Sequence, residues 1–427
     1  MLTRVAKPPA EEILSLLDVG TFKTTCLIAA RPGPRILGIG QSRSEGIKAG
    51  CVTDLNCAEE TVRLAVGRAE AQAGLRVEEV VVAATCGRIG STTFRASTPV
   101  TGNRVGEADL GRVLAAAETF ASADGRMLLH LHDLGYRLDG ETAVANPLGM
   151  AARQLSLDVN AVTADEAPVR NLTLLIERCY LRVAEMFAAP YASAVATMTD
   201  EEARLGVTVI DLGGGTTSFA SFLDGQFVLA GAIAVGGNHL TYDIARNLST
   251  PLAEAERIKT LYANVMGAHA DEHDLVAYPS ASEEQGELYH TSRARLRQIV
   301  RPRVEEILAL VRDRLQRSGY ANAVSSRLVL TGGASEIVGL SALTLREFGS
   351  SVRLGTIRSM PGLSAVLASP SLSAVAGLVS LAQSSGTTAG QADRRGPERA
   401  RGYMARAGRW LRESFWDEET RTETLGG

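Results

Sequence analysis

Residues Val207–Phe219 read VTVIDLGGGTTSF: an apolar run, Asp211, three glycines, two threonines, and a second apolar run towards Phe222. The β-branched run before Asp211 has the pattern of a buried strand. Three successive glycines inside a strand pattern are costly unless the backbone turns tightly or something approaches it closely. Phosphate is the group that usually does. Backbone N–H groups at such a turn cradle an anion, with the hydroxyls of Thr216 and Thr217 as further donors. A carboxylate at the strand end does not bind phosphate, but it holds Mg²⁺ through water. Alone, the stretch fits two readings: a phosphate loop, or a glycine-rich hairpin with no ligand.

The same grammar occurs earlier in the chain. Ile13–Leu17 is apolar, Asp18-Val-Gly20-Thr21-Phe22-Lys23-Thr24-Thr25 follows, and Cys26–Ala30 is a second apolar run. The two aspartates lie 193 positions apart (211 minus 18), which suggests an internal duplication and is more specific than either motif. Lys23 adds a cation suited to phosphate; the alternative is an ordinary surface lysine on a hairpin. A third glycine turn, Thr331-Gly332-Gly333-Ala334-Ser335, leaves a strand at Leu328–Leu330 and leads to a helix from about Glu336. Turns of this sort pack against a nucleotide base or ribose.

The 427 residues leave room for about three units of domain size. A hydrophobic fraction of 45% and a charged fraction of 22% are those of a soluble globular chain. The net charge of −4 argues against broad nucleic-acid binding. Cys26, Cys51, Cys57, Cys86 and Cys179 form no CxxC, which suits free thiols in a reducing cytosol. No basic region precedes an N-terminal apolar core, and no run reaches the ~20 apolar residues of a spanning helix.

Taken in order, 1–12 is a polar start. Residues 35–40 and 46–52 read as short strands, Glu59–Ala73 as a helix with Gly74 at its C′ position, and Val80–Ala84 as an apolar strand. From 86 to 163 the texture changes to a small inserted α/β unit, with a helix at Ala108–Ala121 and strands at Leu128–Leu131 and Leu155–Val162. His130 and His132 alternate on one strand with no third ligand in view, so a structural role is expected. Asp165–Arg182 reads as a helix leading to Val183–Phe187, and Pro190 opens another helix. After Gly236-Gly237-Asn238 a helix is expected at His239–Leu248, then a second at Leu252–Tyr262 capped by Thr250-Pro251, with Glu256 and Lys259 on one face. His269-Ala-Asp-Glu272-His273 matches a metalloprotease pattern but lacks an apolar stripe, so a solvated loop is expected. Ser292–Ser318 is a long amphipathic helix interrupted at Pro302, and its arginine-rich start is either a solvated face or a receptor for an acidic peptide. Ser373–Gln383 is a small-residue helix, and 384–402 reads as a disordered linker.

The chain's two tryptophans, Trp410 and Trp416, lie within its final 18 residues. On a helix, Tyr403, Met404, Ala407, Trp410, Leu411 and Phe415 fall within a ~140° arc, with Arg406, Arg409 and Arg412 opposite. Between Arg394 and Arg412 there are seven arginines and one acid. This composition suits an interfacial helix on anionic lipid; the alternative is a helix docked on the core.

Asp-x-Gly-Thr, then Asp-x-Gly-Gly-Gly-Thr-Thr, then Thr-Gly-Gly-Ala is the order of the actin-like ATPase superfamily, and the resemblance covers residues 13–383. Within it the chain resembles the FtsA family of bacterial cell-division proteins. GIKAGCVTD (46–54), NPLGM (146–150), RPRVEEIL (301–308), the insert and the tail carry that closer likeness. The resemblance implies an α/β, ribonuclease H-like duplicated, two-lobed ATPase fold. Its first lobe would be 13–85 and 164–206, its insert 86–163, and its second lobe 207–383, with 238–320 as outer subdomain. A membrane-targeting amphipathic helix at 403–416 and an acidic end at 417–427 would follow the linker.

By resemblance, ATP and Mg²⁺ lie in the cleft. Asp18 and Asp211 hold the metal's water shell. Gly20, Thr21, Phe22 and Lys23 wrap the phosphates from one lobe, and Gly213, Gly214, Gly215, Thr216 and Thr217 from the other. Gly236, Gly237 and Asn238 border the ribose and phosphates. Glu256 and Lys259 contact adenosine, and Gly332, Gly333 and Ala334 close that end. Phe22 stands where the family often has a small residue, leaving only its backbone N–H for phosphate. Ala189 replaces the acid that chaperone relatives carry before the proline, which implies at most slow hydrolysis. The family polymerises, holds the FtsZ ring at the cytoplasmic face of the inner membrane, and recruits late division proteins. Arg297, Arg301 and Arg303 are the expected receptors of the partly acidic FtsZ tail. The competing reading is another enzyme of the superfamily, a kinase or chaperone. No substrate-side base stands out for a kinase, and only about 40 residues follow the ATPase, too few for a peptide-binding core.

Overall fold

A computed structural model describes residues 12–31, 33, 35–121, 125–140, 142–267, 273–281, 288–324, 326–357, 360–361 and 368–386. The residues before Glu12, those beyond 386 where a linker is expected, the helix expected at 403–416 with Met404, Arg406, Ala407, Arg409, Trp410, Leu411, Arg412 and Phe415, and all of the HxxEH motif except His273 lie outside them.

The duplication read from the two aspartates is a duplication of whole sheets. The first sheet has the order Arg35–Arg43, Lys23–Arg31, Glu12–Val19, Glu79–Ala84, Arg182–Ala188. Half of the second repeats it: Gln226–Ile233, Thr217–Leu223, Val207–Leu212, Arg327–Thr331, Ser351–Leu354. In both, an antiparallel three-strand meander is extended by two parallel strands. The equivalence reaches single residues. Asp18 pairs with Thr25 and Asp211 with Ser218, seven residues on in each hairpin. The Gly20 N–H donates to the Lys23 carbonyl at 3.1 Å, and the Gly213 N–H to the Thr216 carbonyl at 2.9 Å.

Val207–Leu212 carries apolar residues on both of its faces because both are covered. Val207 and Val209 pack into the first lobe's core, while Ile210 and Leu212 face a second core against the helix Arg293–Gln316. Between the lobes lie two helices, Ala189–Thr197 and Ser373–Gly386. They press together so closely that a Cβ at Gly377 would lie 1.8 Å from the Ala192 carbonyl oxygen. The second of these helices packs in the first core, with Val375, Leu378 and Val379 fully buried there. The first lobe therefore reclaims the chain's last described helix, which the expected boundary at 383 gave to the second. That helix also runs to Gly386, three residues into the expected linker.

The insert leaves the chain after Glu79–Ala84 and returns to it at the helix Glu166–Arg178. Four antiparallel strands (Gly90–Pro99, Arg126–Leu138, Thr142–Val144, Gln154–Asp165) carry the helix Glu107–Ala121 over a core of Val113, Ala117, Leu155 and Leu157. Its sheet joins the second lobe's edge strand through Gly231 and Gly90. His130 and His132 project from Arg126–Leu138 into an aromatic block of Phe187, Tyr191 and Phe227. Burial holds both imidazoles neutral, with His132 lowered to about 4. His130 Nε2 accepts from the Ala188 N–H at 2.7 Å, so the pair packs the insert onto the core.

Several local boundaries differ from the sequence reading. The helix expected from Glu59 begins at Leu55, because the Asp54 carboxylate caps the N–H groups of Asn56 and Cys57. The helix expected to reach Arg182 ends at Arg178, where Tyr180 takes a left-handed backbone (φ 61). Thr250 does not cap Leu252–Tyr262; its hydroxyl donates to the Pro279 carbonyl at 2.7 Å. Arg293–Gln316 passes through Pro302 without a break. After Gly332 the chain makes a short 3-10 turn, Gly333–Glu336, and the α-helix starts later, at Leu340.

Candidate functional site

The two Asp-Gly hairpins meet tip to tip. A Cβ on Gly215 would lie 2.5 Å from Thr21 Oγ1, and one on Gly214 would lie 2.8 Å from Phe22 Cβ. Behind these jaws opens a cavity of about 450 Å³. Lining it are Asp18, Gly20, Thr21, Phe22 and Lys23 from one lobe, and Asp211, Gly213, Gly214, Gly215 and Thr216 from the other. The N–H groups of Thr21, Phe22, Gly214 and Gly215 have no acceptor among the described residues. Unspent N–H groups at a tight turn are the donors an anion needs. The Thr21 hydroxyl accepts from the Gly50 N–H at 2.8 Å, which ties this jaw to the 46–52 hairpin.

Two carboxylates share the base of the cavity. Burial, and then repulsion from Asp211, push Asp18 up to about 7, with Lys23 partly offsetting both. Asp211 is also raised by burial, relieved by the hydroxyls of Ser193 and Ser373. Lys23 is lowered by burial, while Asp18 and Glu336 favour its charge. Its Nζ donates to Ser371 Oγ at 2.8 Å. Two buried carboxylates that repel each other are short of positive charge, and a hydrated divalent cation supplies it. The donor set therefore fits Mg²⁺.

Behind the second jaw, the 236–238 loop is stitched to the glycine turn through backbone. The Gly237 N–H donates to the Gly213 carbonyl at 2.8 Å, and the Asn238 N–H to the Gly214 carbonyl at 2.7 Å. Lys259 Nζ bonds Glu256 Oε2 at 2.7 Å, Thr241 Oγ1 at 2.9 Å and the Gly237 carbonyl at 3.2 Å. Glu256, Lys259, Gly237, Asn238, Gly332, Gly333 and Ala334 all line the cavity. Gly332 has φ +85, and a Cβ there would lie 2.3 Å from Asp211 Oδ1, so no other residue fits beside that carboxylate.

Two expected residues stand back from the cavity. Thr217 is fully buried and its hydroxyl donates to the Val235 carbonyl at 2.8 Å, because alternation along the strand turns it away. Gly236 lies beneath the glycine loop, where a Cβ would meet the Gly213 carbonyl at 2.5 Å. Residues that sequence reading missed include Glu336, Ser371 and Ser373 on the wall, and Ser193 behind Asp211. Serines carry no periodic or spacing signal, and these are joined only by the tertiary fold. Ala189 also lines the cavity, with no side chain able to orient a water.

The arginines expected to receive an acidic peptide are already engaged. Arg303 holds Asp243 bidentately (2.7 and 3.1 Å) and also pairs with Glu306. Arg301 pairs with Glu305 at 2.7 Å. A Cβ on Gly267 would lie 2.9 Å from a guanidinium nitrogen of Arg297. Arg301 and Arg303 are thus already paired with acids. Arg295, Gln298, Arg303 and Asp243 line an open depression of about 610 Å³ beside it.

Duplicated sheets with facing Asp-Gly hairpins define an actin-like ATPase fold. A chain of the PilM–PilN type IV pilus biogenesis complex matches with a TM-score of 0.61 and 15% identity, over 87% of this chain and 98% of that one. MreB5 of Spiroplasma citri bound to ADP matches with a TM-score of 0.52 and 13% identity, over 86% and 95%. A family model for the cell division protein FtsA matches residues 208–377, and one for the SHS2 domain inserted in FtsA matches 86–163. The cell division protein FtsA of Agrobacterium fabrum is 38% identical over 421 residues, 94% of this chain and 95% of its own length. The chain belongs to the FtsA family of bacterial cell-division proteins.

Proposed function

We propose that the chain binds ATP with Mg²⁺ between its lobes and uses the nucleotide to set the state of a membrane-bound polymer that holds the FtsZ ring. The observation that carries this reading is the pair of hairpins in identical register, facing each other across the cavity with unspent N–H groups. The MreB neighbour, which shares only the fold, was solved with ADP. Asp18 and Asp211 orient the metal's waters. Lys23 and the N–H groups of 20–23 and 213–216 hold the phosphates. Glu256 and Lys259 face the adenosine, closed by 332–334. Mg²⁺ held by Asp18 and Asp211 would supply positive charge at the terminal phosphate. With Ala189 before Pro190, this chain offers no carboxylate there to activate water, so turnover is slow.

Residues 13–85 with 164–206, and 207–383, serve as the two lobes, with the last helix packed back on the first. The insert at 86–163 serves self-assembly and late division partners. Among the described residues no helix is long and apolar enough to cross a membrane. The 403–416 helix anchors the chain to anionic lipid on the cytoplasmic face, through Met404, Ala407, Trp410, Leu411 and Phe415, with Arg406, Arg409 and Arg412 at the headgroups. The FtsZ tail docks beside Arg297, Arg301 and Arg303. Its acids exchange against Asp243, Glu305 and Glu306, so this contact selects more by geometry than by net attraction.

Flotation with anionic vesicles and a labelled FtsZ-tail peptide tests the tether. The full chain is expected to carry the peptide to the lipid fraction, with a blue shift of tryptophan fluorescence, since both indoles lie in the tail. A chain lacking 403–416 leaves the peptide in solution. Equal flotation without the tail contradicts the anchor, and a floated chain without peptide contradicts the FtsZ contact.

A further inference from the structure

We propose that Ser193 and Ser373 form a hydroxyl relay that fixes the orientation of Asp211, which makes both of them positioning residues for cation-dependent nucleotide binding. The inference rests on reading the cleft as a Mg²⁺–nucleotide site. Ser193 is fully buried, flanked by Ala192 and Ala194 in its helix. A buried hydroxyl there is costly without a partner, and its partner is Asp211 Oδ2, to which it donates. Ser373, 2% exposed, places its own hydroxyl 3.3 Å from Ser193 Oγ and close enough to Asp211 to favour the ionised carboxylate. On the other side, Gly332 packs against Asp211 Oδ1. Hydroxyls thus hold one oxygen of the carboxylate, while the other lies where a side chain at Gly332 would stand.

The origin of the two serines gives the relay its meaning. Ser193 lies on the helix that carries the chain out of the first sheet towards Val207–Leu212. Ser373 opens the helix that brings it back. The two crossings between lobes meet at the carboxylate, so a change in lobe angle that parts the helices also loosens Asp211. The same return segment bonds Lys23 through Ser371, and the Pro370 carbonyl accepts from the Gly332 N–H at 3.2 Å.

The test uses the full chain and a fluorescent ATP analogue, titrated with Mg²⁺ and separately bound in EDTA. Ser193→Ala is expected to need about tenfold more Mg²⁺ for half-saturation, the size of one charge-assisted hydrogen bond. Ser373→Ala, one step further back, is expected to need about threefold more. Binding in EDTA should change by less than about twofold in both, and the melting temperature should stay near wild type. Mg²⁺ titrations that superimpose on wild type overturn the relay. So does an equal loss with and without Mg²⁺, which makes the serines structural only. A wild-type chain that binds the analogue without any response to Mg²⁺ overturns the underlying reading of the cleft instead.

Discussion

Replacing Asp18 by asparagine is expected to stabilise the nucleotide-free protein near pH 8 while removing its response to Mg²⁺–nucleotide. The folded protein holds this carboxyl at about 7, against 3.8 for the free group, first through burial and then through Asp211. A raised carboxyl pKa means that the folded state binds the proton more tightly than the unfolded chain. The stability this group contributes is therefore full below about pH 4, is lost as pH rises towards about 7, and stays lost above it. At about 1.4 kcal/mol per unit the cost in the empty cleft is about 4 kcal/mol, on the order of 5 °C in melting temperature for a chain of this size. Asparagine keeps the shape and sheds the charge. Melting curves of both proteins across this range measure the effect. The gap between them should be small at acid pH, open with rising pH and level off in mild base. Adding Mg²⁺–ATP should then raise the wild type and leave the variant unmoved. A gap that does not change with pH contradicts the electrostatic account.

Gly377→Ala is expected to cost about 3 kcal/mol or more. The added carbon would lie 1.8 Å from the Ala192 carbonyl oxygen and 2.4 Å from its carbon. Those atoms are backbone, so no side chain can swing aside, and the two crossing helices must part. Parting them also draws Ser193 and Ser373 off Asp211, so nucleotide affinity should fall with stability. Gly67 supplies the control. It sits on the exposed side of the helix Leu55–Ala73, and a Cβ there meets nothing within 4 Å. Gly67→Ala should leave stability unchanged or raise it by up to about 1 kcal/mol. Equal behaviour of the two variants in thermal unfolding contradicts the crossing-helix packing.

What was legible in the sequence is what local chemistry constrains. An Asp-Gly turn between two apolar strands is written within a dozen residues, and its repetition at Asp18 and Asp211 disclosed the duplication. Pro190 marked its helix, and three spaced residues placed Glu256 beside Lys259. What was hidden depends on parts of the chain that meet only after folding. Half of the strand Gly90–Pro99 is Ser and Thr, so it shows no apolar alternation, although its Ser97 meets Ser156 across the sheet at 2.9 Å. Ser193 and Ser373, 180 positions apart, become neighbours only where two helices cross. Arg303 looked like a free cation because its acid, Asp243, lies 60 residues away on another helix. Thr217 followed its motif on paper, but the pleat of the strand points it away from the cavity.

The central claim is that Asp211 stands at the metal end of a nucleotide cleft between two duplicated lobes. Calorimetric titration of ATP into the wild-type chain and into Asp211→Ala, each with Mg²⁺ and with EDTA, tests it most directly. The wild type is expected to bind ATP more tightly with Mg²⁺ than in EDTA, and Asp211→Ala, in a protein that still melts cooperatively, to lose that Mg²⁺-dependent gain. An unchanged ATP affinity in the folded Asp211→Ala protein would contradict it.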